Sequence, residues 1–273
     1  MGVPPRVHSR ILVVSHENPS EAVEAEVRRT LTQHYEELGH WNASEAAAAG
    51  VSLDGVRDRI AYVTSKVPPE MFSEHSIVLI SGMGAGSEML VARERGAGTV
   101  YGVEVDPLSV ELCTRRFEGL KGLFPRLYDG ENLPFEAASI NLVLSGHIIE
   151  HTNSPYHYLM ELLRVLRPEG WLFLEFPTRF HWRELHTGLP SVEWLPRPVR
   201  NGLLGLAANR FSPFEESTKN KCRTIVGTGL KQISTGRVRR WLSRGRHSAT
   251  LADVVRPVPG VVRCLIRKDA TAR

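Results

Sequence analysis

The sequence predicts an α/β protein with a doubly wound, mostly parallel sheet and helices on both faces. Three observations carry that expectation. The apolar run Ile77-Val78-Leu79-Ile80 feeds a glycine-rich turn, Gly82-Met83-Gly84-Ala85-Gly86. A second apolar run, about twenty residues further on, ends at the carboxylates Glu104 and Asp106. Strand-length and helix-length segments then alternate as far as Phe176. Such alternation builds right-handed βαβ units, which bring the Gly82 turn and the Glu104 strand end to one carboxyl edge of the sheet.

Element by element, residues 1–70 read as an N-terminal, mainly helical appendage. Its apolar stretch Ile11-Leu12-Val13-Val14 suits a short strand or a docked arm. Residues 19–38 suit a helix with Ser20 as N-cap, acidic first turns and Gly39 as the stop. Further helical segments fall at 46–49 and 53–66, before Pro68-Pro69. Residues 71–273 form the main domain, with strands expected at 77–81, 99–103, 126–128, 140–145 and 171–176. Helices are expected at 87–95, 107–117 and 155–166, the last carrying Leu159, Leu162, Leu163 and Leu166 on one face.

After Phe176 the rhythm breaks on Pro190, Pro196, Pro198 and Pro213, so 177–220 reads as an inserted, substrate-shaping lid. Alternation over 261–267 predicts a final antiparallel strand, with a weakly signalled partner near 224–229.

Composition narrows the class. At 273 residues, 42% hydrophobic and 23% charged, the chain suits one large soluble domain with additions. A net charge of +4 is too small to imply nucleic acid by itself. Residues 219–246 nevertheless hold nine Lys and Arg and no acid, which leaves peripheral contact with an anionic membrane surface or partner open. The three cysteines, Cys113, Cys222 and Cys264, show neither a disulfide framework nor metal spacing. With no long apolar run and no signal-type core, the expectation is a soluble cytoplasmic protein. No Asp, Glu or His set has ligand spacing, so no metal is expected.

Five landmarks follow in order: Gly82-x-Gly84-x-Gly86, then Glu104, then Tyr128-Asp129-Gly130-Glu131-Asn132-Leu133-Pro134-Phe135. Next come Leu142-Val143-Leu144-Ser145-Gly146-His147-Ile148-Ile149-Glu150-His151 and Arg164-Val165-Leu166-Arg167-Pro168-Glu169-Gly170. Over about a third of the chain, this succession resembles the class I S-adenosylmethionine-dependent methyltransferases of the type 11 group. The resemblance implies a Rossmann-like, seven-stranded sheet and S-adenosylmethionine as cofactor.

It further implies that Ser81, Gly82, Gly84 and Gly86 receive the methionine end and that Glu104 accepts both ribose hydroxyls. Val105, Asp129 and Gly130 would meet the adenine, while Ser145 and His147 flank the methyl group. Methyl transfer to a small-molecule acceptor, such as a hydroxyl of a sugar, lipid or secondary metabolite, is the expected activity. His147, His151, His181 and His186 are the candidate bases, the last two from an aromatic and cationic stretch after the fifth strand.

Two positions depart from the resemblance. Ile80 stands where the family has an acid two residues before the first glycine, and Asn141 stands where it often has Asp. They motivate one rival, a non-catalytic cofactor-binding protein of the same fold. A second rival is an NAD(P)-dependent oxidoreductase, disfavoured because the third glycine of G-x-G-x-x-G would fall at Ser87. A nucleic-acid substrate is disfavoured by the lack of a base-flipping signature after the fourth strand.

Overall fold

In the computed structural model, residues 18–37, 42–178, 195–209, 212–215, 218–220, 222–223, 226 and 231–270 are described. Three helices come first, α1 (Glu21–Glu37), α2 (Ala43–Val51) and α3 (Asp54–Thr64). The alternating core follows as β1 (Ile77–Ser81), α4 (Ser87–Glu94), β2 (Thr99–Glu104), α5 (Pro107–Arg116) and β3 (Leu123–Leu127). It continues through β4 (Ile140–Gly146), α6 (Pro155–Val165) and β5 (Leu166–Pro177). The final elements are α7 (Arg197–Ala207), α8 (Thr235–Arg244), β6 (Ala249–Val255) and β7 (Val261–Lys268).

The seven strands lie in the order β3-β2-β1-β4-β5-β7-β6. β1 to β5 run parallel, and β7 pairs antiparallel with both β5 and β6. Strand periodicity divides the core between two faces. Val78, Ile80, Leu142, Leu144 and Phe173 pack with Ile60 and Val63 of α3, Met89 of α4, Cys113 of α5 and Phe117 at its end. Leu79, Val143, Leu172 and Leu174 turn the other way, toward Leu159, Leu162 and Leu163 of α6 and Val238 and Leu242 of α8.

Helix starts follow the local chemistry. Ser20 Oγ accepts from Val23 N at 3.4 Å, as its N-cap position predicts. Asp106 caps α5 by accepting from Ser109 N at 3.0 Å, and Ser154 caps α6. Asp106 thereby serves as the cap of α5.

The N-terminal helices are fixed to the core by Arg116, whose side chain is fully buried. Its guanidinium donates to Glu24 Oε1 of α1, the Val51 carbonyl ending α2, the Ala85 carbonyl in the glycine turn and Ser87 Oγ. Ser87 Oγ in turn donates to the Gly50 carbonyl at 2.8 Å.

Some expectations are corrected. The third strand lies at Leu123–Leu127 rather than 126–128, because Pro125 at a sheet edge hides its apolar pattern. The last strand pairs with β6 at Ala249–Val255, and the stretch expected near 224–229 lies, apart from residue 226, outside the described residues. The strand or arm at Ile11–Val14, the stop at Gly39 and residues 179–194 of the lid, including His181 and His186, lie outside the described residues. Among the described residues, no helix is long and apolar enough to cross a membrane, and no group of three or more His, Cys, Asp or Glu could hold a metal ion.

Candidate functional site

The carboxyl edge of the sheet gathers several of the predicted residues, among them the three glycines and Glu104, around the turn between β1 and α4. Gly82, Gly84 and Gly86 all have positive φ, at 76°, 49° and 83°. Their surroundings differ. A Cβ on Gly82 would sit 2.0 Å from Ile148 Cδ1, so that glycine serves packing against the loop after β4. A Cβ on Gly84 would meet nothing within 4 Å, which leaves bare backbone facing open space. Beneath this bare stretch lies Glu104, whose Oε2 accepts from Gly84 N at 3.1 Å and Oε1 from Val105 N at 2.8 Å. The carboxylate at the end of β2 is therefore aimed back at the glycine turn.

Beyond β3, Asp129 Oδ1 accepts from Glu131 N at 2.8 Å and Asn132 N at 2.7 Å. These amide contacts hold its carboxyl below the ordinary Asp range. A Cβ on Gly130 would lie 3.2 Å from Val105 Cγ1, and Val105 is 53% exposed. Val105 thus offers an apolar surface beside the Asp129 loop, of the kind a flat ring rests on. A cavity of about 240 Å³ adjoins this loop, lined by Gly130, Glu131, Thr152 and His157 among others.

On the inner side, Ser81 and Ser145 end neighbouring strands and are both buried. Tyr158 OH of α6 bridges them, 2.8 Å from each hydroxyl oxygen. Tyr128 joins this hydroxyl network through Ser81, and burial pushes its phenol up to about 12. Ser81 and Ser145 therefore brace the floor of the cleft. Asn141 sits at the opposite end of β4, where its Oδ1 accepts from Ile77 N at 3.0 Å. A neutral amide meets that need, so the Asn141 departure touches packing and not the cleft.

His147 follows β4 with φ 57°, a left-handed conformation that a side chain with a Cβ rarely adopts. Its amide donates to the Glu175 carbonyl at 2.8 Å. Its Nε2 lies 3.1 Å from Glu175 Oε1 and its Nδ1 3.6 Å from Glu150 Oε1. Burial alone would push its pKa down, but the contacts to Glu150 and Glu175 outweigh that and raise it to about 9. His147 is cationic at neutral pH and holds no lone pair for a proton. His151 lies 3.9 Å from Glu150 Oε1 and is half exposed.

Sequence reasoning missed the partners of this edge. Glu175 also pairs with Arg59 of α3 and Arg263 of β7. Burial opposes its ionisation, yet His147, Arg59 and Arg263 hold it down at about 2. One signal was available, a lone carboxylate within the apolar run Leu172–Phe176 of a buried strand. Arg59, Glu88, Tyr158 and Arg116 gave none, because each lies on a helix with ordinary amphipathic spacing.

Residues 79–174 match the family described as a methyltransferase domain. An uncharacterised methyltransferase of Mycobacterium tuberculosis is 34% identical over 95 residues, covering 35% of this chain and 37% of that protein. The phthiotriol/phenolphthiotriol dimycocerosates methyltransferase 1 of Mycobacterium ulcerans is 32% identical over 126 residues, covering 45% of each chain. An S-adenosylmethionine-dependent methyltransferase structure from Mesorhizobium loti superposes with a TM-score of 0.55 at 16% identity, covering 79% of this chain and all of that one. The chain spans 37–45% of the length of these two curated relatives. The likeness to a methyltransferase domain is carried by residues 79–174, and the fold is the one seen in the superposed S-adenosylmethionine-dependent methyltransferase. S-Adenosylmethionine is the cofactor this class uses, and the bare Gly84 backbone, the Glu104 carboxylate and the Val105 surface fit its parts.

Proposed function

We propose that this chain transfers a methyl group from S-adenosylmethionine to a small-molecule acceptor, at an oxygen of a sugar, lipid or secondary metabolite. The observation that carries the proposal is Glu104 bonded to Gly84 N beneath an unobstructed glycine backbone. Gly84 and its neighbours would receive the methionine end and Glu104 the ribose hydroxyls. Val105, Asp129 and Gly130 would hold the adenine. When bound, the cofactor supplies a methyl carbon activated by a sulfonium leaving group.

The chain's own part is positioning and exclusion of water, which supply much of the rate in such a displacement. A hydroxyl acceptor also needs a proton acceptor. His147, held cationic, serves poorly at neutral pH, which leaves His151 among the described residues. An apolar acceptor is favoured by α7, which follows β5 and exposes Val199, Leu203 and Leu206 at 52%, 45% and 69%. On this reading 177–220 is the segment that shapes the acceptor site.

The test is calorimetric titration with S-adenosylhomocysteine, followed by a metabolite screen with isotopically labelled methyl donor. Binding with label transferred to an acceptor supports the proposal; a failure to bind rejects it. Binding without turnover would favour the non-catalytic reading, which the Ile80 departure and the cationic His147 motivate. A nicotinamide ligand found by mass spectrometry in the purified protein would favour an oxidoreductase.

A further inference from the structure

We infer that Arg59 and Glu88 form the clamp for the amino-acid end of the cofactor, replacing the acid that Ile80 lacks, a step that rests on the cofactor reading above. Ile80 leaves no room for an acid of its own, since its side chain is fully buried against Ile60 and Val63 of α3. The same helix carries Arg59 to the carboxyl edge. Its Nη1 pairs with Glu88 in the first turn of α4, and its Nε lies 3.2 Å from Glu175 Oε1.

The place is right for the methionine end. In the β1–β4 ladder Ile80 stands opposite Leu144, so Gly82 and Gly146 leave the sheet side by side. A Cβ on Gly146 would lie 2.8 Å from Arg59 Nη1 and 3.7 Å from Glu88 Oε1. Bare backbone at Gly146 thus admits both charges beside the glycine turn.

The cluster is balanced but incompletely bonded. Arg59, Arg263 and His147 face Glu88, Glu150 and Glu175. Among the described residues, Glu150 Oε2 is buried without a hydrogen bond, and Arg59 Nε, although ion-paired with Glu175 Oε1 at 3.2 Å, is not aligned for one. One is a cationic donor and the other an anionic acceptor, and such groups are costly to leave unmatched in a protein interior. A zwitterion carries the two charges complementary to this cluster. Its carboxylate takes the planar guanidinium fork, and its ammonium takes the Glu88 side. A neutral cluster of this kind favours a group bearing both charges over one bearing either alone.

The experiment compares two probes by calorimetry, S-adenosylhomocysteine, which has the amino-acid end, and 5′-methylthioadenosine, which lacks it. In Arg59→Met and separately in Glu88→Gln, S-adenosylhomocysteine affinity should fall roughly 10- to 100-fold while 5′-methylthioadenosine stays within about twofold. Retained 5′-methylthioadenosine binding also shows that each variant is folded. Equal losses for both probes would assign Arg59 and Glu88 to propping the cleft and overturn the inference, as would unchanged affinities. If the unaltered protein binds both probes equally, the clamp is rejected while the nucleoside site stands. If it binds neither, the cofactor reading falls and the clamp with it.

Discussion

Arg116 Nη1 donates to the carbonyl of Ala85 at 2.6 Å, so one buried guanidinium on α5 holds the middle of the glycine turn. The same group reaches Glu24 of α1 and the Val51 carbonyl of α2, which couples these two N-terminal helices to the shape of the cleft. Removing it leaves several buried acceptors unmatched. Arg116→Met should therefore lower stability by about 3–5 kcal/mol in chemical denaturation. It should also weaken S-adenosylhomocysteine binding, although Arg116 is not placed to touch the ligand. Unchanged stability would show that the N-terminal helices dock independently of this contact.

Glu104 and Gly84 make the sharpest test of the cleft itself. Glu104→Ala removes the group assigned to the ribose hydroxyls and should weaken cofactor binding by about 1–3 kcal/mol. Unchanged affinity would mean the ligand lies elsewhere.

Gly82→Ala and Gly84→Ala should behave differently, although both positions have positive φ. The first forces a methyl group into Ile148 and should damage folding. The second points a methyl group into open space, so folding should survive with about 1 kcal/mol of backbone strain while cofactor affinity falls. Thermal melts and calorimetry on the pair separate the two roles.

Stability should depend on pH through His147 and Glu175. The His147 pKa is raised from 6.5 to about 9, so its contribution is complete below 6.5 and is lost as pH rises through about 9. The Glu175 pKa is lowered from 4.5 to about 2, so its contribution is complete above 4.5 and is lost as pH falls toward 2. Melting temperature should decline by a few degrees (about 2–4 °C) across the alkaline limb, a modest change because His147 is partly exposed. His147→Gln should flatten that limb; an unaltered limb would place the titration elsewhere.

Tyr158→Phe should cost about 1–3 kcal/mol, since it takes the hydroxyl partner from buried Ser145 and one of the two from Ser81. His151→Gln should lower kcat with little effect on cofactor affinity if His151 receives the acceptor's proton. A proportionate loss in both would assign it to the fold instead.

Much of the frame was legible in the chain itself. The strands through Ile77–Ser81, Thr99–Glu104 and Ile140–Gly146, and the helices between them, follow from apolar period, glycine turns and caps within a few residues of one another. β6 escaped because its pattern is interrupted by the register shift between Leu251 and Asp253, which only its pairing with β7 displays. The glycines, Glu104 and Asp129 were legible as neighbours at one edge of the sheet, because each lies at or just beyond a strand end whose place in a βαβ unit is set locally.

What the sequence determined, then, is everything decided by neighbours along the chain: the order of elements, the bends of the turn and the carboxylate closing the second strand. Only the tertiary structure decided which distant charges meet. Arg59 reaches Glu88 across 29 residues, and Arg263 reaches Glu175 across 88. Such pairings depend on how helices cross the sheet, and the energy of a buried ion pair depends on partners and burial that no local spacing encodes. For the same reason His147 looked like a base in the sequence and is a cation in the folded protein: two carboxylates, one of them on the next strand, set its charge.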